Sequence, residues 1–103
     1  MKRPSTGPPC YLFRLYVAGD ASNSAQALAN LKVLCRTYIP DCHQIEVVDV
    51  FDDPGSALAD GIFMTPTLLK LAPLPLRRIV GTLSNTQTVK TTLGLEALSA
   101  DAS

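Results

Sequence analysis

Three cysteines, one histidine and a scatter of acidic and basic side chains are the groups in this sequence that could do chemistry. Cys10, Cys35 and Cys42 are odd in number and lack the C-x-x-C spacing that brings a thiolate and its resolving partner together at a helix end. Cys10 precedes the first apolar run, Cys35 lies within a helical stripe, and Cys42 follows Pro40 in a loop. Small buried or incidental thiols are the expectation, in a reduced, cytoplasmic chain. His43 stands beside Asp41 and Cys42, with Glu46 close by, and a metal site could be drawn from the first three. Neighbours on an extended chain point to opposite faces, however, so a solvated strand edge explains them better and no metal is expected. Ser22 and Ser24 have no base to activate them and suit helix capping. Asp49, Asp52 and Asp53 suit a turn. Arg77 and Arg78 could read an anion or an acidic partner, or could guard the edge of a sheet. No glycine-rich phosphate loop is present and no catalytic constellation forms, so neither enzyme activity nor a cofactor is expected.

The elements that must carry these residues fit one domain. A chain of 103 residues, 47% hydrophobic, can bury a core without metal or disulfide staples. Nine basic side chains balance nine acidic ones, which argues against nucleic acid as a partner and leaves little repulsion against self-association. Lys2 and Arg3 are followed by Pro4, Pro8 and Pro9, which predicts no secretory leader, and no apolar run reaches membrane-spanning length. Residues 1–9 read as a disordered lead-in, 10–100 as the domain and 101–103 as a short tail.

Alternation from Tyr11 to Val17 predicts a strand with Phe13, Leu15 and Val17 on one face and Leu12, Arg14 and Tyr16 on the other. Ser22, Asn23 or Ser24 is expected to cap a helix whose stripe is Leu28, Leu31, Cys35 and Tyr38, with Ala27 and Leu34 beside it. Ile45, Val47, Val48 and Val50 predict a second strand, apolar on both faces and parallel to the first. Asp53 and Pro54 suit the start of a short helix ending before Gly61, with little apolar surface to bury. A third strand is expected to reach about Leu71, and Arg77 to Val80 forms a fourth, antiparallel to it across Pro73-Leu74-Pro75. Ser84 to Gln87 reads as a capping box before a last helix with Val89, Leu93 and Ala97 buried. Its β-branched residues and an internal Gly94 make that helix marginal.

Met64-Thr65-Pro66-Thr67 is the stretch that orders these elements, because a proline at the mouth of a strand gives up a ladder hydrogen bond. One group of α/β folds places a cis-proline there, facing the start of the first helix. The order βαβαββα with that corner is thioredoxin-like. Opposite the corner this chain has Ala18-Gly19-Asp20-Ala21-Ser22-Asn23-Ser24-Ala25, with no thiol, so a thioredoxin-like thiol oxidoreductase is the disfavoured alternative.

Leu15-Tyr16-Val17-Ala18-Gly19 with Asn23-Ser24, then Val48-Asp49-Val50, Asp53-Pro54, Thr65-Pro66-Thr67-Leu68, Pro73-Leu74-Pro75, Arg77-Arg78-Ile79-Val80-Gly81 and Leu83-Ser84-Asn85 together resemble the circadian clock KaiB family. The likeness covers roughly residues 11–98 and extends to the thioredoxin-like sensor domain of SasA-type kinases. It implies a non-enzymatic clock protein that changes fold and binds the hexameric ATPase ring of a KaiC-like protein. Displacement of a histidine kinase and recruitment of a KaiA-like protein are implied as well. A βαββααβ second half in a tetramer would be the resting form, expected at high concentration, and the thioredoxin-like monomer the binding form. By that resemblance Gln26, His43, Gln44, Glu46, Gly61 and Arg77 are candidate partner-binding positions, and Pro66, Pro73, Pro75, Gly94 and Glu96 are candidate fold-switch positions. A switch needing X-Pro isomerisation takes tens to hundreds of seconds unaided.

Three departures stand out. Gln26 and Gly61 occupy places where the family pattern calls for basic residues, while Arg77 remains. The long acidic tail is missing, and Gly94-Leu95-Glu96 only approximates the family's Gly-Leu-Asp run. A stress-related or accessory paralogue outside the core oscillator is therefore an alternative of equal weight.

Overall fold

The computed structural model describes residues 10–95. The expected tails at 1–9 and 101–103 lie outside them, as do Glu96 and Ala97. Among the described residues seven elements run in the order β1 (Tyr11–Val17), α1 (Ser22–Tyr38), β2 (His43–Asp49), α2 (Pro54–Ala59), β3 (Thr67–Ala72), β4 (Arg77–Val80) and α3 (Thr86–Leu93). The sheet order is β2-β1-β3-β4. β1 pairs parallel with β2 and antiparallel with β3, and β3 with β4 form the antiparallel hairpin. This is the thioredoxin-like arrangement, not the βαββααβ order expected of a tetramer.

The two faces of β1 are sorted as its alternation predicts. Phe13, Leu15 and Val17 join Ala27, Leu31, Leu34 and Cys35 of α1, Leu68 of β3 and Val89 and Leu93 of α3 in the larger core. Tyr16 turns to the opposite face and packs with Ala57 of α2 and Leu69 of β3, flanked by Val48, Val50, Ile62 and Leu71. Helices thus cover both faces of the sheet, two on one side and a single short one on the other. α2 buries only Ala57. Polar ties make up for that poverty. Asp53 accepts from the Ser56 N–H at 3.1 Å, with Pro54 opening the first turn. At the far end, Arg78 donates to the carbonyls of Asp60 and Gly61 at 2.8 and 2.9 Å, taking up carbonyls a short helix leaves exposed.

Several expectations need correction. β2 is not buried on both faces: it is an edge strand, with Val47 46% exposed, because among the described residues no strand lies beyond it. None of Ser22, Asn23 and Ser24 caps α1; the N-cap is Ala21, with no side-chain bond, and the buried Ser24 hydroxyl instead accepts from the Ala18 N–H at 3.1 Å. α3 is capped by Asn85, whose carbonyl oxygen accepts from the Thr88 N–H at 3.2 Å, and not by Ser84. Gly94 does not interrupt that helix but ends it. At φ +80° it lets Leu95 N–H reach the Lys90 carbonyl at 2.9 Å and its own N–H reach Thr91, the Schellman pattern.

The reduced state is also corrected, since Cys10 and Cys42 are joined in a disulfide. Register is the physical reason. Tyr11 pairs with His43 and Leu12 with Gln44, and one step earlier the same parallel offset aligns Cys10 with Cys42, 4.5 Å apart at Cα. That separation lies within the range a disulfide spans.

Candidate functional site

The Thr65-Pro66 bond is cis, as are Ala72-Pro73 and Leu74-Pro75. Pro66 opens β3, and its carbonyl accepts from the Gly81 N–H at 2.9 Å, while the buried Thr67 hydroxyl donates to the Met64 carbonyl. The β1–α1 turn is fixed by Asp49, whose carboxylate accepts from Gly19 N–H at 3.2 Å and Phe51 N–H at 2.9 Å. Asp49 and Asp53 are therefore used up in turn and cap geometry, as their spacing predicts.

The corner that would hold a dithiol holds apolar surface instead. A shallow cleft of about 230 Å³ is lined by Ala18, Val50, Phe51, Ala57, Ile62, Phe63, Met64 and Thr65. Phe51 is 74% exposed, Phe63 90% and Met64 62%, and Leu58 on the neighbouring α2 is 77% exposed. Gly19, at φ +55°, lies under the Phe51 ring, which would be 3.6 Å from a Cβ placed there. Large apolar side chains grouped at one end of a sheet and left without packing mark a contact surface. Sequence reading missed this cluster. Phe51, Phe63 and Met64 sit in loops without period, and only the sheet order brings them to the same end.

Thiol chemistry finds no support there. Cys35, the one free cysteine among the described residues, is fully buried on the α1 stripe, and burial pushes its pKa up to about 11. His43 is half-buried, and its Nδ1 lies 2.7 Å from the Ile39 carbonyl. No cluster of three metal-ligating side chains occurs among the described residues.

Behind the cleft, α2 is tied to the sheet by charge. Asp60 accepts from the Tyr16 hydroxyl at 2.5 Å and from Arg14 Nη1 at 3.0 Å, and Arg14 Nε donates to Glu46 at 2.8 Å. The Tyr16 bond, aided by Arg14, holds the Asp60 carboxyl below the usual carboxylate range. Burial, together with the carboxylate, pushes the Tyr16 hydroxyl up to about 12. Glu46, a candidate partner residue, thus also has a structural role.

The candidate positions fall on separate surfaces. Exposed Gln44 and Glu46 and half-buried His43 line the open edge β2, while exposed Gln26 lies in the first turns of α1. Gly61 adjoins the apolar segment Ile62 to Met64, and Arg77 stands exposed on the other edge strand. Among the fold-switch positions, Pro66, Pro73 and Pro75 bracket β3, Gly94 ends α3 and Glu96 lies outside the described residues.

A family model described as the KaiB domain matches residues 14–95. The chain is 41% identical over 85 residues to the circadian clock protein KaiB3 of Synechocystis, covering 82% of this chain and 81% of that one. It is 42% identical over 88 residues to the circadian clock oscillator protein KaiB of Synechococcus elongatus, covering 85% and 84%. In three dimensions it resembles the N-terminal domain of Synechococcus elongatus SasA with a TM-score of 0.69 at 18% identity, over 88% of this chain and 87% of that one. Chloroplastic thioredoxin z matches with a TM-score of 0.69 at 19% identity, over 85% and 80%. These two likenesses concern the fold alone.

Proposed function

This chain belongs to the KaiB family, and on that premise we propose that it is a non-enzymatic timing protein that engages a KaiC-like hexameric ATPase ring. The observation that carries the reading is the exposed apolar end at Phe51, Phe63 and Met64, built where a thioredoxin-like corner would otherwise carry its thiols. Family membership suggests the partner class, and the apolar surface, which Gly61 adjoins in sequence, supports a place for it. The open edge of β2, where His43, Gln44 and Glu46 lie, offers backbone groups to a second partner such as a KaiA-like protein or a histidine kinase. Exchange between this thioredoxin-like form and an alternative, self-associated second half completes the proposal. It is supported by the small burial of α2 and by the position of β4 at the sheet's edge.

The test is capture of the protein by a purified KaiC-like ring, wild type and phosphomimetic, followed for several hours. Binding should be stronger to the phosphomimetic ring and fall at least about thirtyfold with Phe63→Ser, a hot-spot-sized loss. Since Phe63 is 90% exposed, the thermal midpoint should not move. Absence of capture over hours, or equal capture of the variant, would overturn the reading.

A further inference from the structure

The Cys10–Cys42 pair has no part in the proposed ring binding and nothing in the core to do. The core of this domain closes without it, because seven register pairs from Tyr11↔His43 to Val17↔Asp49 already join β1 to β2. The bond instead extends that ladder by one step at its open end, next to the Tyr11 N–H to Cys42 carbonyl hydrogen bond of 2.9 Å. Cys10 is exposed and Cys42 half-buried, so small thiols and disulfides in solution reach the pair, whereas Cys35 is sealed in the core. Two sulfurs held opposite each other by strand register form a bond without rearranging the fold, and an exposed disulfide is the kind that exchanges.

We propose that Cys10 and Cys42 are a reversible redox modification site, exchanging with a low-molecular-weight disulfide–thiol couple of the glutathione class and setting how firmly the start of β2 is held. In oxidation, one cysteine thiolate attacks a sulfur of the small disulfide, forming a mixed disulfide and releasing one small thiolate. The second cysteine thiolate attacks the protein sulfur of that mixed disulfide, forms the Cys10–Cys42 bond and releases the second. The protein dithiol loses two electrons and two protons, and the small disulfide takes both up as two thiols. Reduction runs the same steps in reverse. Because Cys42 immediately precedes His43, closing the bond restrains the opening of the edge strand from its first residue.

The experiment equilibrates the full chain in buffers of graded oxidised to reduced glutathione, alkylates free thiols and reads peptides by mass spectrometry, with hydrogen exchange followed at both extremes. Cys10 and Cys42 should lose reactivity together along one two-electron curve, leaving Cys35 unaffected, and a Cys35→Ala variant should give the same curve. Amides of Tyr11 and of residues 43–46 should exchange about tenfold faster in the reduced protein, with the α3 amides changed less. Cysteines that titrate independently, a mixed disulfide that persists instead of the protein bond, or exchange at 43–46 that ignores the redox state would each overturn the proposal.

Discussion

Removing the Tyr16 hydroxyl tests whether α2 is held by a polar tie more than by burial. The ring of Tyr16 is fully buried, so Tyr16→Phe keeps the packing and deletes the hydroxyl that donates to Asp60 at 2.5 Å, with the Ser56 carbonyl a second acceptor at 3.1 Å. A hydrogen bond to a charged acceptor contributes about 1.5–3 kcal/mol. The Asp60 and Arg14 side chains retain 28% and 29% exposure, and the carboxylate keeps its Arg14 contact, so the low end of about 1.5 kcal/mol applies. For a domain of this size that lowers the thermal midpoint by roughly 6–12 °C. Sign follows from linkage. The folded Asp60 value is depressed, chiefly by the Tyr16 bond, so its contribution is present above the unfolded value near 4 and is lost as pH falls through the folded value. Melts followed by circular dichroism at one fixed concentration should show the full gap between wild type and variant at pH 7, and a gap that narrows as pH is lowered below the unfolded value toward pH 3. An unchanged midpoint at pH 7, or an equal gap at both pH values, would refute the account.

Leu31→Ala, at a fully buried position facing the sheet, should lower unfolding free energy by about 2–5 kcal/mol in urea titration without moving ring capture per folded molecule. Asp53→Ala removes the α2 cap and should speed hydrogen exchange at residues 54–62 while leaving the sheet amides unchanged.

Period and punctuation made most of the elements legible. Alternation at Phe13, Leu15 and Val17 announced the inward face of β1, and the Leu31 and Cys35 stripe announced the buried side of α1. Asp53-Pro54 and Gly61 marked both ends of α2 because cap chemistry is local. What could not be read depended on strands meeting at long range. β2 is apolar enough for a buried strand, yet sheet order leaves it on an edge. Cys10 and Cys42 are unremarkable by spacing and become partners only once the parallel register is fixed. Lys70 carries no sign in sequence that it will be 5% exposed, with its ammonium over the Tyr11 ring and 3.5 Å from the Leu93 carbonyl. Phe51 and Phe63, separated in sequence, reach one cleft for the same topological reason.

The way each half is joined to the sheet bears directly on the proposed exchange of folds. In the first half, a seven-pair parallel ladder and the α1 stripe share one apolar core, so loosening any part exposes the whole. The second half contributes Leu68, Leu83, Val89 and Leu93 to that same core, while α2 packs on the smaller one, and separate polar ties add to this: Asn30 to the Thr82 carbonyl at 2.8 Å, Arg78 to the end of α2, Asp60 to Tyr16 and Lys70 to Leu93. A typical tie of this kind nets only about 0.5–1.5 kcal/mol, somewhat more where a charge is involved. A different packing that buries the same apolar side chains and satisfies the same polar groups elsewhere would therefore differ by a few such increments. Moving such an equilibrium from 1:99 to 99:1 takes a differential affinity of about 5.5 kcal/mol, and partial shifts take less. A partner that binds only the thioredoxin-like form shifts the equilibrium by as much as its differential affinity for the two forms.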